Sequence, residues 1–416
     1  MVIKMILKVT KTTKVRGDIY ISGSKNAALP CICAALLTKR SVKLKNIPEI
    51  EDVNNLLLII KSLGVRIKKC ETGIVIQAKK IKQNVPCELV ESLRGSYYLM
   101  GAILSRYPKL KIRYPGGCDL GGRPIDYHLN SFERLGFEVI KDEKFIDIQE
   151  KKRMGSRITF PSVSLGATIN VLLLSSRIIG ETVITNPSLE PEVMCVIDML
   201  KQMGACIRVE NNQIIINGVE RLEGVTHKIM YDRIEAGSYL FLTGVIPDSK
   251  VVIHNVQPKD LELVILLAQN IGISIEKYED KIVVEGAKKI KKTNILIGHH
   301  PFFPTDLQQI ITVILTKAKG TSIIEDPIFP SRIAHLKELR KMGAYVYDYH
   351  HKIYIKESTL KSAMVSASDL RCAFALIVAG TMARGTTYIK NIDYLFRGYD
   401  NPVDKLRRIG VNVELI

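Results

Sequence analysis

Residues that could do chemistry are concentrated in short segments where glycine, proline and charged residues interrupt the apolar pattern. One is the loop from Pro115 to Pro124, PGGCDLGGRP, which places four glycines around Cys118. A thiol in such a loop, close to Arg123, should be accessible and biased towards the reactive thiolate. An incidental exposed cysteine is the alternative. An exposed thiol in a reducing compartment is a liability, and this favours a functional Cys118.

Other segments place charges at the starts of predicted helices. Lys25 follows Ser22-Gly23-Ser24, where free N–H groups and the helix dipole would help it to bind an anion, although a solvated lysine is the alternative. Asp306 ends the stretch HPFFPTD and could be a functional carboxylate or only a helix cap. Further charges occur in the segments DRIEAG (232–237), DLR (369–371) and RGYD (397–400). No Ser-His-Asp triad, P-loop or dinucleotide fingerprint is present.

The overall charge indicates an anionic partner. The chain of 416 residues has 60 Lys+Arg against 42 Asp+Glu, a net charge of +18. Tryptophan is absent, aromatic residues make up only 6%, and the basic residues are spread along the chain, so nucleic acid is not expected as the partner. We expect a cytoplasmic protein with no membrane association, because no segment has the length and apolarity of a membrane span and the N-terminus lacks signal-peptide features.

Neither a metal site nor a cofactor is expected from local spacing. The eight cysteines form no CxxC pair, and Cys31-x-Cys33 is a poor metal-binding spacing. The eight histidines are scattered, apart from two adjacent pairs, and no HExxH motif occurs.

Internal repetition predicts the architecture. An amphipathic helical stretch, an apolar residue, a glycine and a strand-like segment recur six times, with the glycines 67 to 72 residues apart. The six glycines are Gly64, Gly136, Gly204, Gly272, Gly343 and Gly410. Each suits the position after a helix end, where a positive φ is required. A second helix and a β-branched strand ending near Asn or Asp precede each copy, so each unit reads β-α-β-α-β-β. Units this long fit a solenoid or closed pseudo-threefold domains, with a boundary near residue 230.

Several motifs in order resemble the enolpyruvyl transferase family, from about Val9 to the C-terminus. The matching segments are SGSKNAALP, PGGCDLGGRPIDYH, EPEV, DRIEAG, FPTDLQ, SDLR and RGYD. The resemblance implies an α/β (α+β) fold of two inside-out α/β barrels, each built from three repeats with pseudo-threefold symmetry. It implies one domain of residues 23–229 carrying the Cys118 loop, and another of residues 1–22 plus 230–416. The active site would lie in the cleft between them, with the Cys118 loop as a lid.

The resemblance is greatest to the branch that transfers the enolpyruvyl group of phosphoenolpyruvate to the 3′-hydroxyl of UDP-N-acetylglucosamine and releases phosphate. That reaction is the first committed step of peptidoglycan precursor synthesis, on which cell shape and division depend. Family matching implies that Cys118 is the proton donor and Asp306 the base, with Lys25 and Arg397 also catalytic. The implied phosphoenolpyruvate-binding residues are Lys25, Asn26, Arg123 and Arg397. The implied nucleotide-sugar residues are Asn26, Arg94, Arg123, Pro124, Ile125, Asp126, Tyr127, Ser162, Val163, Ser164, Leu165, Asp306 and Ile328.

Some positions depart from the family pattern and keep a second acceptor open. Gly122 precedes Arg123 where a bulkier residue or proline is usual, and Pro330-Ser331 stands where Glu-Asn is expected. Asn54 and the stretch Tyr394-Leu395-Phe396 also differ. The alternative is therefore a related transferase that uses another acceptor, such as a nucleotide in secondary metabolism. A basic RNA-binding or scaffold protein on the same fold is disfavoured, because it has no use for Cys118 in a glycine loop.

Overall fold

The computed structural model describes residues 5–85, 87–116 and 125–416, except for the side chain of Cys87. The elements are numbered in chain order. The strands of the described residues are β1 (Ile6–Thr10), β2 (Arg16–Tyr20), β3 (Ser41–Lys45), β4 (Arg66–Cys70), β5 (Gly73–Gln77), β6 (Lys109–Arg113), β7 (Phe137–Lys141), β8 (Phe145–Glu150), β9 (Arg157–Thr159), β10 (Gly180–Thr185), β11 (Cys206–Glu210), β12 (Gln213–Gly218), β13 (Thr226–Lys228), β14 (Lys250–His254), β15 (Ser274–Lys277), β16 (Lys281–Glu285), β17 (Asn294–Leu296), β18 (Thr321–Glu325), β19 (Tyr345–Tyr349), β20 (Lys352–Lys356), β21 (Met364–Ser366), β22 (Thr386–Lys390) and β23 (Val413–Leu415).

The helices alternate with these strands. They are α1 (Lys25–Ala34), α2 (Glu51–Ser62), α3 (Cys87–Ser92), α4 (Tyr98–Leu104), α5 (Asp126–Arg134), α6 (Leu165–Ser175), α7 (Pro191–Gln202), α8 (Arg233–Val245), α9 (Glu262–Asn270), α10 (Gln308–Leu315), α11 (Ala334–Lys341), α12 (Leu370–Met382), α13 (Asp393–Phe396) and α14 (Pro402–Arg408). Short 3₁₀ turns occur at Ala35–Leu37, Arg94–Tyr97, Pro258–Leu261 and Thr305–Leu307. No helix among the described residues has the length and apolar character needed to cross a membrane.

The repeat glycines end helices as predicted. Gly64, Gly136, Gly204, Gly272, Gly343 and Gly410 all have a positive φ, between 85° and 108°. The chain can reverse into the next strand at each of these points because glycine has no Cβ to clash in this conformation. The predicted helix–glycine–strand repeat is confirmed.

The chain divides into two units, each with its own core. The terminal unit comprises residues 5–22 and 231–416, and the middle unit comprises residues 23–116 and 125–230. The terminal unit contains three sheets, in the orders β2-β14-β16-β15, β17-β18-β20-β19 and β21-β22-β1-β23. The middle unit contains β13-β3-β5-β4, β9-β10-β12-β11 and the shorter sheet β6-β8-β7.

All six sheets follow one pattern. In each four-stranded sheet the first strand pairs in parallel with the second, and the remaining pairs are antiparallel. In the three-stranded sheet a single parallel bridge from Asn84 to Lys111 stands where the others have a first strand. The six sheets are therefore copies of one β-α-β-α-β-β unit.

Two of the first strands lie in a different unit from the helix that follows them in the chain. β2 precedes α1 in the chain but pairs in parallel with β14 in the terminal unit, in the register Arg16 to Lys250. β13 precedes α8 but pairs in parallel with β3 in the middle unit. The chain consequently passes between the units twice, near Ser22 and near Met230.

One helix of each repeat lies in the core of its unit. Every residue of α4, α8 and α10 is buried, and α1, α6 and α12 are buried over nearly their whole length. Close packing needs small residues here: a Cβ on Gly101 of α4 would lie 2.5 Å from the carbonyl oxygen of Asn170 on α6. The strands instead alternate buried and exposed residues, so helices lie inside and sheets outside. The predicted fold class is confirmed.

Candidate active site

In the terminal unit, one carboxylate lies between two buried guanidinium groups. Arg332 Nη1 donates to Asp306 Oδ1 at 2.9 Å, and Arg371 Nη2 donates to Asp306 Oδ2 at 3.0 Å. Both arginine side chains are only 3% exposed, whereas that of Asp306 is 24% exposed. Asp306 therefore presents an accessible carboxylate backed by two inaccessible cations. The N-cap positions of the 3₁₀ turn and of α10 are occupied by Pro304 and Leu307, whereas the Asp306 oxygens bond to the two arginines.

The two arginines control the ionisation of this carboxylate. Burial alone would raise the pKa of Asp306, but the charges and hydrogen bonds of Arg371 and Arg332 outweigh it and lower the pKa far below the ordinary value. Asp306 is thus fully ionised at neutral pH, and its affinity for a proton is weak while both cations remain in place. Any role as a base requires at least one of these cations to turn to another anion.

Arg371 also lies beside Tyr399. Its Nε and Nη1 atoms are buried. Its guanidinium carbon lies 5.2 Å from the centre of the Tyr399 ring. Asp369 caps α12 by accepting from the N–H groups of Arg371 and Cys372, and this fixes the backbone conformation at Arg371.

A neighbouring loop completes this part of the site. Asp326 accepts from the backbone N–H groups of Ile328 and Phe329 and from the Thr305 hydroxyl. Arg332 also donates to the carbonyl of Thr305 at 2.7 Å. These bonds hold the 326–332 loop, and with it Ile328, against the turn that carries Asp306.

The DRIEAG segment forms a second buried charge pair in the terminal unit. Lys405 Nζ donates to Glu235 Oε1 at 2.6 Å and to the Ser22 hydroxyl at 2.7 Å, while the Ser22 N–H donates to Glu235 Oε2 at 2.9 Å. Burial raises the pKa of Glu235 to about 7 although Lys405 acts in the opposite direction. The network ties the end of the first chain segment to α8 and α14. Arg397 lies directly after α13 and is half-buried.

In the middle unit, Lys25 is the first residue of α1 and forms a buried ion pair. Its Nζ lies 2.6 Å from Asp52 Oδ2, and the two side chains are 13% and 5% exposed. Lys25 is therefore not a solvated surface lysine. Asn26 follows it on the first turn of α1 and is half-buried.

The proposed nucleotide-sugar residues of the middle unit fall into two neighbouring groups. Arg94 donates to the carbonyl of Pro115 at 3.3 Å and lines a cavity of about 300 Å³ with Ile125 and Asp126. The Tyr127 hydroxyl lies 3.1 Å from the Ser162 hydroxyl, which joins the start of α5 to the loop before α6. In that loop Val163 precedes Ser164, whose hydroxyl caps α6 by accepting from the Ala167 N–H, and Leu165 is the first residue of the helix.

Three predicted site residues lie outside the described part of the chain: Cys118, Arg123 and Pro124. Others were missed as site residues. Arg332, Arg371 and Asp52 contact predicted site residues through their side chains but lie 26, 65 and 27 positions away along the chain. Arginine beside a capping aspartate in DLR was a visible signal, whereas nothing in the sequence paired Asp52 with Lys25.

Comparison with known proteins agrees with this fold. The family model described as EPSP synthase (3-phosphoshikimate 1-carboxyvinyltransferase) matches residues 9–406, and the chain belongs to that family of transferases. Two solved structures share the fold: the enolpyruvyl transferase NikO from Streptomyces tendae (20% identity, TM-score 0.91, 99% of each chain) and an EPSP synthase from Acinetobacter baumannii (17% identity, TM-score 0.76, 99% of this chain and 100% of the other).

Curated relatives are more similar in sequence. A UDP-N-acetylglucosamine 1-carboxyvinyltransferase 2 from Staphylococcus epidermidis is 39% identical over 411 residues, covering 98% of each chain. Proteins of the same name from Geobacillus kaustophilus and Bacillus cereus are 39% and 40% identical, covering 98% and 95% of this chain and 96% and 93% of their own. The similarity thus extends over both units.

Proposed function

We propose that the protein transfers the enolpyruvyl group of phosphoenolpyruvate to the 3′-hydroxyl of UDP-N-acetylglucosamine and releases phosphate. This would be the first committed step of peptidoglycan precursor synthesis, carried out in the cytoplasm. The observation that carries the proposal is the partly exposed Asp306 carboxylate backed by Arg332 and Arg371, which offers an ionised group for acid–base chemistry. The names of relatives about 40% identical over nearly the whole chain support the choice of acceptor.

The reaction needs cations first. Phosphoenolpyruvate carries a phosphate and a carboxylate, and charge-assisted hydrogen bonds to lysine and arginine are the strongest that a protein offers to such groups. We assign this role to Lys25, Arg123 and Arg397, with Asn26 beside them. Asp52 holds the Lys25 ammonium group at 2.6 Å, so it positions the lysine without touching substrate.

A proton donor and a base then act on the two reacting carbons and the hydroxyl. We assign Cys118 as the group that protonates the vinyl CH₂ of phosphoenolpyruvate, which makes C2 electrophilic. The 3′-hydroxyl oxygen attacks C2 and gives its proton to Asp306, forming a tetrahedral intermediate. Phosphate then leaves from C2 while the methyl group formed at C3 returns a proton to the Cys118 thiolate, so the enol ether forms without any change of oxidation state.

Asp306 becomes a competent base only when substrate binds. Substrate binding that moves a guanidinium away from the carboxylate would raise the pKa of Asp306, because an opposing charge recedes. Substrate binding and base activation are linked in this way. Arg94, Ile125, Asp126 and Tyr127, with the 162–165 loop, are assigned to the nucleotide-sugar, as is Ile328.

Phosphate release with competing acceptors tests the proposal. The purified protein is incubated with phosphoenolpyruvate and, separately, UDP-N-acetylglucosamine, UMP or shikimate 3-phosphate, and products are identified by mass. We expect phosphate and an enolpyruvyl adduct only with UDP-N-acetylglucosamine. Turnover with UMP in its place would establish the alternative acceptor class, and no turnover with any acceptor would refute the assignment.

The Cys118 role has its own measurement. A phosphonate epoxide that mimics phosphoenolpyruvate should form one thioether per chain at Cys118, faster when UDP-N-acetylglucosamine is present. Intact mass and peptide mapping read the result. Alkylation spread over several cysteines, or none at Cys118 with the nucleotide-sugar present, would contradict the role.

A further inference from the structure

Three side chains of the kinds that bind metals meet in the middle unit, and none of them is assigned to catalysis. Cys31 lies on α1, Cys195 on α7 and His227 on β13, and all three are buried. Their ligand atoms all lie within 4.8 Å of one another, and Cys195 Sγ is 3.4 Å from His227 Nε2. Among the described residues this is the one such cluster of His, Cys, Asp and Glu.

One measured spacing matches an edge of a tetrahedral zinc site. With Zn–S near 2.3 Å and Zn–N near 2.0–2.1 Å, tetrahedral angles place sulfur and nitrogen about 3.5 Å apart and two sulfurs about 3.8 Å apart. The 3.4 Å between Cys195 Sγ and His227 Nε2 is close to the first value. The distances from Cys31 Sγ to the other two ligand atoms are at most 4.8 Å, within about 1 Å of the tetrahedral edges.

The surrounding groups are those that support a zinc site. His227 Nδ1 lies 3.3 Å from Gln202 Oε1; if Nδ1 donates to this amide oxygen, the Nε2 lone pair is directed at the cysteines. Cys195 and His227 are 8% and 6% exposed, so the cluster lies just beneath the surface and an ion can reach it.

We propose that Cys31, Cys195 and His227 bind one zinc(II) ion. The two thiols each lose their proton to solvent and form S–Zn bonds, and the Nε2 lone pair of neutral His227 forms the third bond. The fourth position is left to a water molecule or small anion. Two thiolates and an imidazole suit zinc better than calcium or magnesium, which prefer oxygen ligands.

The ion would act as a clamp rather than a catalyst. It would join α1, α7 and β13, three elements that are far apart in sequence. Because metal binds the folded state and not the unfolded chain, it should raise the thermal stability of the protein. The active residue Lys25 begins the same helix, α1, but takes no part in the site.

Cobalt(II) is the probe, because its complexes with thiolates absorb in the near-ultraviolet and tetrahedral ones also absorb in the visible. Reduced, chelator-treated full-length protein is titrated with cobalt(II), and zinc(II) is added in competition. We expect one equivalent to bind with thiolate charge-transfer absorption, zinc to displace it, and zinc to raise Tm by several degrees. Cys31→Ser and Cys195→Ser should each weaken binding at least a hundredfold, and His227→Gln at least tenfold.

Cys33→Ser is the matched control, because Cys33 is a buried thiol two residues further along α1 and outside the cluster. It should bind as the wild type does. Should a serine variant fail to fold, X-ray absorption of the zinc-loaded wild type still tests the proposal by counting two sulfur and one imidazole ligand. Lack of thiolate–cobalt absorption in reduced wild type, a Cys31–Cys195 disulfide with no metal binding after reduction, or unchanged binding in Cys31→Ser and Cys195→Ser would overturn it.

Discussion

Replacement of Asp306 by asparagine is the most informative perturbation of the candidate site. The side chains are nearly isosteric, but the variant removes the negative charge that faces Arg332 and Arg371 at 2.9 and 3.0 Å. Removal of one partner from a buried ion pair costs about 3–5 kcal/mol, and the partial exposure of Asp306 places this case near the lower end. We therefore expect a loss of about 3 kcal/mol in the free energy of unfolding, or roughly 6–12 °C in Tm for the terminal unit.

The catalytic effect should be larger than the structural one. A general base contributes roughly a hundredfold to ten-thousandfold to a rate, so kcat of Asp306→Asn should fall by that factor while the protein stays folded at 25 °C. The measurement is phosphate release at saturating phosphoenolpyruvate and UDP-N-acetylglucosamine, alongside thermal unfolding. Because the two arginines lower the pKa of Asp306, the wild-type kcat/KM should show no acid limb near the ordinary aspartate pKa.

Asp326→Asn is the matched control for this prediction. Asp326 is buried and holds the adjacent loop by accepting from the N–H groups of Ile328 and Phe329. The carboxylate that lies between the two arginines is that of Asp306. Asp326→Asn should lose stability with less than a tenfold fall in kcat. Equal losses of kcat in the two variants, or more than a tenth of wild-type turnover in Asp306→Asn, would refute the assignment of Asp306 as base.

Three further predictions concern buried charges. Lys25→Gln should raise KM for phosphoenolpyruvate at least tenfold, and it should destabilise the protein because it removes the cation 2.6 Å from Asp52. The double variant with Asp52→Asn should regain stability but not activity. Recovery of both would leave Lys25 without a binding role. Burial raises the pKa of Glu235 from 4.5 to about 7, so between these pH values the folded protein holds a proton that the unfolded chain has lost. Wild-type stability therefore falls as pH rises from 5 to 8. Over that range Glu235→Gln should gain on the order of 1–3 kcal/mol of stability relative to wild type. The opposite slope in urea unfolding would mean that Lys405 dominates. Burial lowers the pKa of His335 from 6.5 to about 3, so protonation favours the unfolded chain. His335→Leu should therefore gain stability relative to wild type as pH falls from 7 to 4. A stability difference between the two proteins that stays constant with pH would contradict a neutral buried imidazole.

The repeat architecture follows from local sequence alone. Glycine after an amphipathic helix is favoured where φ must be positive, and all six predicted glycines have that conformation. Helices that are apolar all round, such as the segment that became α4, predict burial in a core, and helices with one polar face predict an outer layer. These preferences act within a few residues, so one sequence suffices to read them.

Strand exchange depended on tertiary structure. β2, with the sequence RGDIY, has no apolar alternation that would indicate a partner, and its parallel partner β14 begins more than two hundred residues later. Parallel pairing carries no local signal, because the two strands are joined through a long connection whose course only the packed fold selects.

The site divides in the same way. Motif residues such as Lys25 and Asp306 could be read from the chain, because cations and carboxylates at helix starts interrupt the apolar pattern. Asp52, Arg332 and Arg371 could not be assigned to them, and neither could the approach of Cys31 to Cys195 and His227. Ion pairs and metal ligands are selected by distance in space, and the low solvent exposure that strengthens them arises only when helices from different repeats pack together.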